Sequence, residues 1–238
     1  MRKLDAMAFA MLAACLIPVR HADAGGPDTI YSPHVEQGEW ELEYKGRYLY
    51  GPDRDGESRR ETQNKVALGY GPTSYWWTEI YAEREATPER GDHWSAFEWE
   101  NRFQLTEPGR YWLDLGAIAE LERTRPGNGK EARVGLLMEK DVDQTTLTVN
   151  WLVGRTFGDG ASSHWEQDYR AQWAWRWRLE ARPLLQLQGD HDSAYAGPGI
   201  AGKLRIGAQR VGYHLAWLRR LGGDVPPHAL RLQVELEF

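Results

Sequence analysis

Leu230-Arg231-Leu232-Gln233-Val234-Glu235-Leu236-Glu237-Phe238 alternates without a break. Side chains on a strand point to opposite faces in turn, so Leu230, Leu232, Val234, Leu236 and Phe238 share one face and Arg231, Gln233, Glu235 and Glu237 the other. One face is wholly apolar and the other wholly polar, and the stretch ends on an aromatic residue.

The same pattern recurs back along the chain. Trp40, Leu42, Tyr44, Tyr48 and Tyr50 oppose Glu39, Glu41, Glu43, Lys45 and Arg47; Trp76, Thr78, Ile80 and Ala82 oppose Glu79, Glu83 and Glu85; Phe97, Trp99, Phe103 and Leu105 oppose Glu98, Glu100, Arg102 and Gln104. Leu113, Leu115, Ala117, Ala119 and Leu121 stand against Asp114, Glu120 and Glu122, and Trp165, Tyr169, Trp173, Trp175 and Trp177 against Glu166, Asp168, Arg170, Gln172, Arg176 and Arg178. Between such stretches lie clusters of Gly, Pro, Asp and Ser, which break strands. About twelve strands of about ten residues result. The intervening segments are expected to alternate long and short, from 51–58 (long) and 71–74 (short) to a long loop over Asp190–Gly202, a tight turn at 211–212 and a last loop over Leu221–His228.

Composition agrees. The 238 residues include 12 Trp, 11 Tyr and 25 Gly, with a mean hydropathy of −0.66. That polarity excludes a bundle of membrane helices, each needing about 20 apolar residues, while Trp and Tyr favour interfaces that are half apolar and half wet. The amino terminus reads as an export signal over residues 1–24: Arg2 and Lys3, an apolar run Ala6–Val19 too short to span a bilayer, and Ala22-Asp23-Ala24 as a small-residue cleavage site. Leu12-Ala13-Ala14-Cys15 offers a second reading, a lipidation site at Cys15. With residues 1–24 removed the sole cysteine goes with them, and 26 basic residues face 33 acidic ones. That balance argues against nucleic acid as a partner, since nothing neutralises a phosphate backbone.

Taken together, the alternation, the connection rhythm, the leader and the closing Phe238 resemble the outer-membrane β-barrels of Gram-negative bacteria, a porin-like class. The resemblance implies an all-β, antiparallel, up-and-down transmembrane barrel over residues 39–238, preceded by a periplasmic lead over 25–38. It also implies Leu232, Val234, Leu236 and Phe238 as the signal read by the assembly machinery, and outer-membrane lipid as the surroundings of the apolar face. The alternative is a periplasmic sandwich or lipocalin-like barrel with its apolar parity inward, whose interior could hardly enclose so many Trp and Tyr.

Function then belongs to the inward parity. Glu41, Glu43, Glu79, Glu83, Glu98, Glu100, Asp114 and Glu120 would form an acidic wall facing a basic wall of Arg170, Arg176, Arg178, Lys203, Arg205 and Arg231. Such walls suit a narrow passive channel for small polar or charged solutes, because charged linings set ion selectivity. Opposed Glu and Arg rows could equally cross-link into a closed structural or surface-interaction barrel. His93, His164, His191 and His228 fall near loops with several Asp and are the candidates for a divalent metal, though without the spacing of a dedicated site; no cofactor is expected. A lipid-modifying enzyme would need a Ser and His together facing lipid. Ser162, Ser163 and His164, then His191 and Ser193, are the nearest arrangement and form no recognisable motif, so no enzyme is expected. Trp77, Trp94 and Trp112 are the Trp residues on the inward parity.

Overall fold

The computed structural model describes residues 26–238 apart from 53–55, 57, 89, 126–128, 159–164 and 208. The export signal, Cys15, Ser162, Ser163 and His164 lie outside the described residues. Twelve antiparallel strands close on themselves: β1 (Trp40–Pro52), β2 (Ser58–Thr73), β3 (Trp76–Thr87), β4 (Gly91–Gln104), β5 (Asp114–Thr124), β6 (Lys130–Val142), β7 (Thr145–Phe157), β8 (Trp165–Trp175), β9 (Arg182–Gly189), β10 (Ala194–Ile206), β11 (Gln209–Gly222) and β12 (His228–Glu237). Each strand pairs with its sequence neighbours. β12 returns to β1 with Leu42 opposite Leu236 and Glu43 opposite Glu235, and Trp40 and Phe238 exchange backbone hydrogen bonds of 3.1 and 2.9 Å. No unpaired edge is left, which disposes of the liability an open sheet carries.

The alternation read from the sequence resolves into an inverted barrel. Leu42, Val66, Ile80 (63% exposed), Trp99, Leu121, Val134 and Leu185 stand on the outside, while Glu100 and Asn150, both 0% exposed, point in. An apolar exterior of this extent is stable only in an apolar medium, and a closed barrel satisfies every strand backbone there. The sandwich alternative is excluded. Leu232, outward and opposite Leu215 and Gly46, is at mid-strand. Leu232→Arg is therefore expected to cost about 2–4 kcal/mol of barrel stability in lipid. The folded fraction after refolding into vesicles measures it, and a normal yield would contradict the assigned face.

Connection lengths depart from the expected rhythm. At one end lie 53–57, 88–90, 125–129, 158–164, 190–193 and 223–227; at the other, 74–75, 105–113, 143–144, 176–181 and 207–208. These are called the loop end and the turn end. Connection 105–113 is longer than any at the loop end, because hairpins on that side run their strands on into the predicted loops. The clearest case is 190–202: β10 begins at Ala194 and carries Gly197, Pro198, Gly199 and Gly202. Pro198 cannot donate to a ladder, and the register to β11 passes from Ala196–Arg219 to Gly199–Ala216 without pairing 197 or 198. A Cβ on Gly197 would meet the Trp217 carbonyl oxygen at 2.1 Å, so its glycine permits the close approach.

Candidate functional site: a polar lumen and the segment inside it

Residues 26–38, read from the sequence as a periplasmic lead, run inside the barrel. They leave β1 at the turn end, where the Gly38 amide donates to Gly71 O (2.8 Å), and climb towards the loop end. The Val35 amide donates to Gln104 Oε1 (2.9 Å), and His34 Nε2 lies 3.2 Å from Asp114 Oδ2. Higher up, Asn150 clamps Tyr31 from both sides: the Tyr31 amide donates to Asn150 Oδ1 (2.7 Å) and Asn150 Nδ2 donates to the Tyr31 carbonyl (2.8 Å). Arg170 donates to the Thr29 carbonyl (2.6 Å), the Asp28 amide to Gln188 Oε1 (2.8 Å), and Arg47 to the Gly26 carbonyl (3.0 Å). An extended segment has no ladder of its own, so each of these wall side chains supplies what a neighbouring strand would otherwise supply.

Small residues make room for it. A Cβ on Gly116 would lie 2.8 Å from Pro33 Cβ, and one on Gly71 would lie 2.1 Å from the Glu36 carbonyl oxygen. At mid-depth the Tyr31 ring joins Ile118, Leu137 and Leu152 in an apolar cluster. Near the loop end a second cluster of Leu49, Tyr195, Ala216, Leu218, Val225 and Ala229 fills the wall, with Tyr195 donating to the Pro226 carbonyl (2.7 Å) and so holding 223–227 inward. Below Tyr31 a cavity of about 420 Å³ remains, lined by residues 29–32 and 34–36 and by side chains at the turn end of β1, β3, β11 and β12.

The predicted acidic residues do face the lumen: Glu43, Glu79, Glu83, Glu98, Glu100 and Glu120 are buried, and Glu41 and Asp114 are half-buried. They do not form an uncompensated wall. Lys45 Nζ sits 3.0 Å from Glu43, Lys65 Nζ 3.2 Å from Glu83 and 2.9 Å from Glu98, Arg102 Nε 3.1 Å from Glu100, and Arg133 lies between Glu131 and Glu120. These four cations share the inward parity of the carboxylates they meet. Lys45 and Arg102 stand on that parity in the sequence reading yet are absent from its basic wall, because parity reveals the face and not the partner across the strand.

Of the predicted basic wall, Arg170 and Arg231 are buried in the lumen and Lys203 reaches Glu237 (2.5 Å) at the turn end. Arg176, Arg178 and Arg205 stand outside it. Arg176 and Arg178 follow the end of β8, where strand parity no longer applies; Arg176 pairs with Asp141 (2.6 Å) and Arg178 lies over the Trp177 ring. Arg205 is exposed at the β10–β11 hairpin. Trp77 points in, as expected, but Trp94 is 52% exposed and outward, because the register shift between Glu83 and Arg84 in the β3–β4 pairing reverses the parity of β4 above Ala96. Trp112 is exposed in connection 105–113.

The structure does not bring the described histidine candidates together. His93 contacts the Gly91 carbonyl, His191 is exposed in 190–193, and His228 packs beside the Tyr50 and Trp217 rings. Among the described residues, the groups close enough to hold a metal ion are all-glutamate. Ser193 donates to Asp190. The lead's own His34 went unnoticed in the sequence, where no periodicity marks it.

No protein-family model and no curated protein sequence matches the chain. Solved structures do. The COG4313 outer membrane channel from Pseudomonas putida F1 superposes with a TM-score of 0.60 at 11% identity, over 90% of this chain and 99% of that one. The KdgM porin in complex with disordered oligogalacturonate gives 0.53 at 8% identity, over 83% and 98%. The translocator domain of the autotransporter NalP from Neisseria meningitidis gives 0.53 at 10% identity, over 86% and 89%. What is shared at these identities is the fold, that of bacterial outer-membrane β-barrels.

Proposed function

From a fold held in common with outer-membrane channels and porins, we propose that this chain is a narrow passive channel for small polar or charged solutes in the bacterial outer membrane, its lumen constricted by residues 26–38. The observation that carries the reading is the way those residues are held. Their backbone is bonded to polar wall side chains that water can also satisfy, and a polar cavity of about 420 Å³ lies beneath them. A purely structural core would be expected to be apolar throughout, whereas each of β1–β5 turns charged side chains into this lumen, among them Lys45, Lys65, Glu79, Glu98 and Glu120. In the same reading residues 1–24 are a cleaved export signal, Leu232, Val234, Leu236 and Phe238 are the assembly signal, lipid covers the outer face, and the barrel performs no catalysis.

A second reading, a closed barrel, is favoured by one observation: Tyr31 packs against Ile118, Leu137 and Leu152 across the middle of the lumen. Single-channel recording of the refolded chain in a planar bilayer decides between them. Discrete conductance steps, with a reversal potential moved by Glu98→Gln, are expected of the channel; silence from protein shown to be folded and inserted would establish the closed barrel.

A further inference from the structure

The cavity at the turn end holds more acid than its cations pair. Glu41 and Glu43 of β1 and Glu235 of β12, which meet across the seam, bring one carboxylate oxygen each to within 4.8 Å of one another. Glu41 makes neither hydrogen bond nor ion pair among the described residues. Glu43 and Glu235 share the amide of Gln233, at 2.6 Å each, and Glu43 also meets Lys45. Like charges so placed repel, and one ammonium does not balance three carboxylates.

A separate group points the same way. Glu79 on β3, 1% exposed, lines the same cavity. The Tyr81 hydroxyl, with one hydrogen to give, lies 2.8 Å from Glu79 Oε2 and 3.0 Å from Glu43 Oε2; Trp77 Nε1 (3.3 Å) and Arg102 (3.8 Å) also meet Glu79 Oε2, while Glu79 Oε1 has no hydrogen-bond donor among the described residues. A buried carboxylate oxygen without a donor is costly, and it stands beside the seam carboxylates.

We propose that the seam carboxylates Glu41, Glu43 and Glu235 bind a divalent cation, Ca²⁺ by preference, with Glu79 adding negative charge behind them. Three oxygens no more than 4.8 Å apart leave a central point no farther than about 2.8 Å from each, and calcium takes oxygen ligands at about 2.3–2.6 Å in adaptable geometry. A shift of a few tenths of an ångström closes the difference. Magnesium demands a tighter octahedron, at about 2.0–2.1 Å. All-carboxylate donors exclude the softer metals that prefer imidazole or thiolate, and the cavity has space for the waters that complete the shell. The site rests on the channel reading only for its consequence, a preference of the pore for cations.

Terbium(III), a luminescent substitute for calcium, is the probe, titrated into the full chain refolded in detergent micelles. Trp77 and Tyr81 line the cavity and would sensitise its emission. The expected result is saturable emission displaced by Ca²⁺, with affinity lowered about tenfold by Glu41→Gln, since ligand charge sets affinity in such sites. Glu41 has no bond to lose, so that variant should fold; Glu235→Gln should act in the same direction, and Glu139→Gln, elsewhere on the cavity wall, should leave affinity unchanged. Emission that Ca²⁺ does not displace, or that Glu41→Gln and Glu139→Gln alter equally, would overturn the site. Terbium binding without conductance would uphold the site and remove the channel; conductance without terbium binding would do the reverse.

Discussion

Deleting residues 26–37 is expected to raise the single-channel conductance several-fold. The deletion takes Thr29, Tyr31 and Pro33 out of the centre of the barrel while leaving every strand ladder in place. Asn150, Arg170, Gln188 and Gln104 lose their bonds to the segment but face a widened aqueous lumen, where water replaces them at little net cost. Selectivity should move as well. Asp28 lies 3.5 Å from Arg170, and without it Arg170, Arg231 and Arg47 are less neutralised, so the reversal potential should shift towards anions.

In the intact chain the anchor should persist across neutral and mildly acidic pH. Burial alone would push the Asp28 carboxyl up, but Arg170, with Lys65 and Lys45, outweighs it and holds the carboxyl well below its ordinary value. That contribution is complete above the ordinary value and fades only as pH falls through the lowered one. An unchanged conductance on deletion would mean that ions do not pass the segment at all.

Lys65→Met is expected to destabilise the barrel by about 3–5 kcal/mol, the usual cost of stripping one partner from a buried ion pair. Lys65 Nζ bridges two buried carboxylates, Glu83 on its neighbour β3 and Glu98 on β4, so a single ammonium ties three consecutive strands along one side of the lumen. Methionine keeps much of the stem and removes the charge, leaving two carboxylates to repel. The shift of the urea unfolding midpoint in micelles measures the effect. Adding Glu98→Gln to Lys65→Met should recover part of it, because the remaining carboxylate then has Gln63 (2.8 Å) and Ser95 (2.8 Å) as donors. If Lys65→Met unfolds at the parental midpoint, the lumen there is wet enough to screen its charges.

Strand number and the two unlike faces of each strand were legible because a pleated strand repeats every two residues whatever its neighbours do; the closed form and the outward direction of the apolar face rested on the resemblance to outer-membrane barrels. Leu230–Phe238 and Trp40–Tyr50 therefore read correctly as one apolar and one charged face. Three kinds of feature escaped. A register shift costs one residue and reverses everything beyond it, as at Trp94. Composition misleads where glycine and proline serve close approach rather than turning, as in β10. The contents of the lumen escaped most fully: residues 26–38 have no period, and their partners are far along the chain, Gln188 being 160 residues from Asp28. The carboxylates of the site were found by parity, and Lys45 and Arg102 stood on the same face; that these two, with Lys65 and Arg133, pair with the carboxylates and set the charge of the site became visible only with the cross-strand register.

Eleven of the twelve ladders join strands that follow one another, and one, the seam from β1 to β12, joins the first strand to the last. Adjacent hairpins can form as soon as their residues exist, but the seam must wait for the whole chain and bear the entropy of closing the largest loop. The segment before β1 bonds to β7, β8 and β9, on the far side of the growing sheet. Formed early, those bonds would curl the open sheet about its own first residues and bring β1 within reach of β12, so the strap that narrows the finished lumen would also shorten the search by which the barrel shuts.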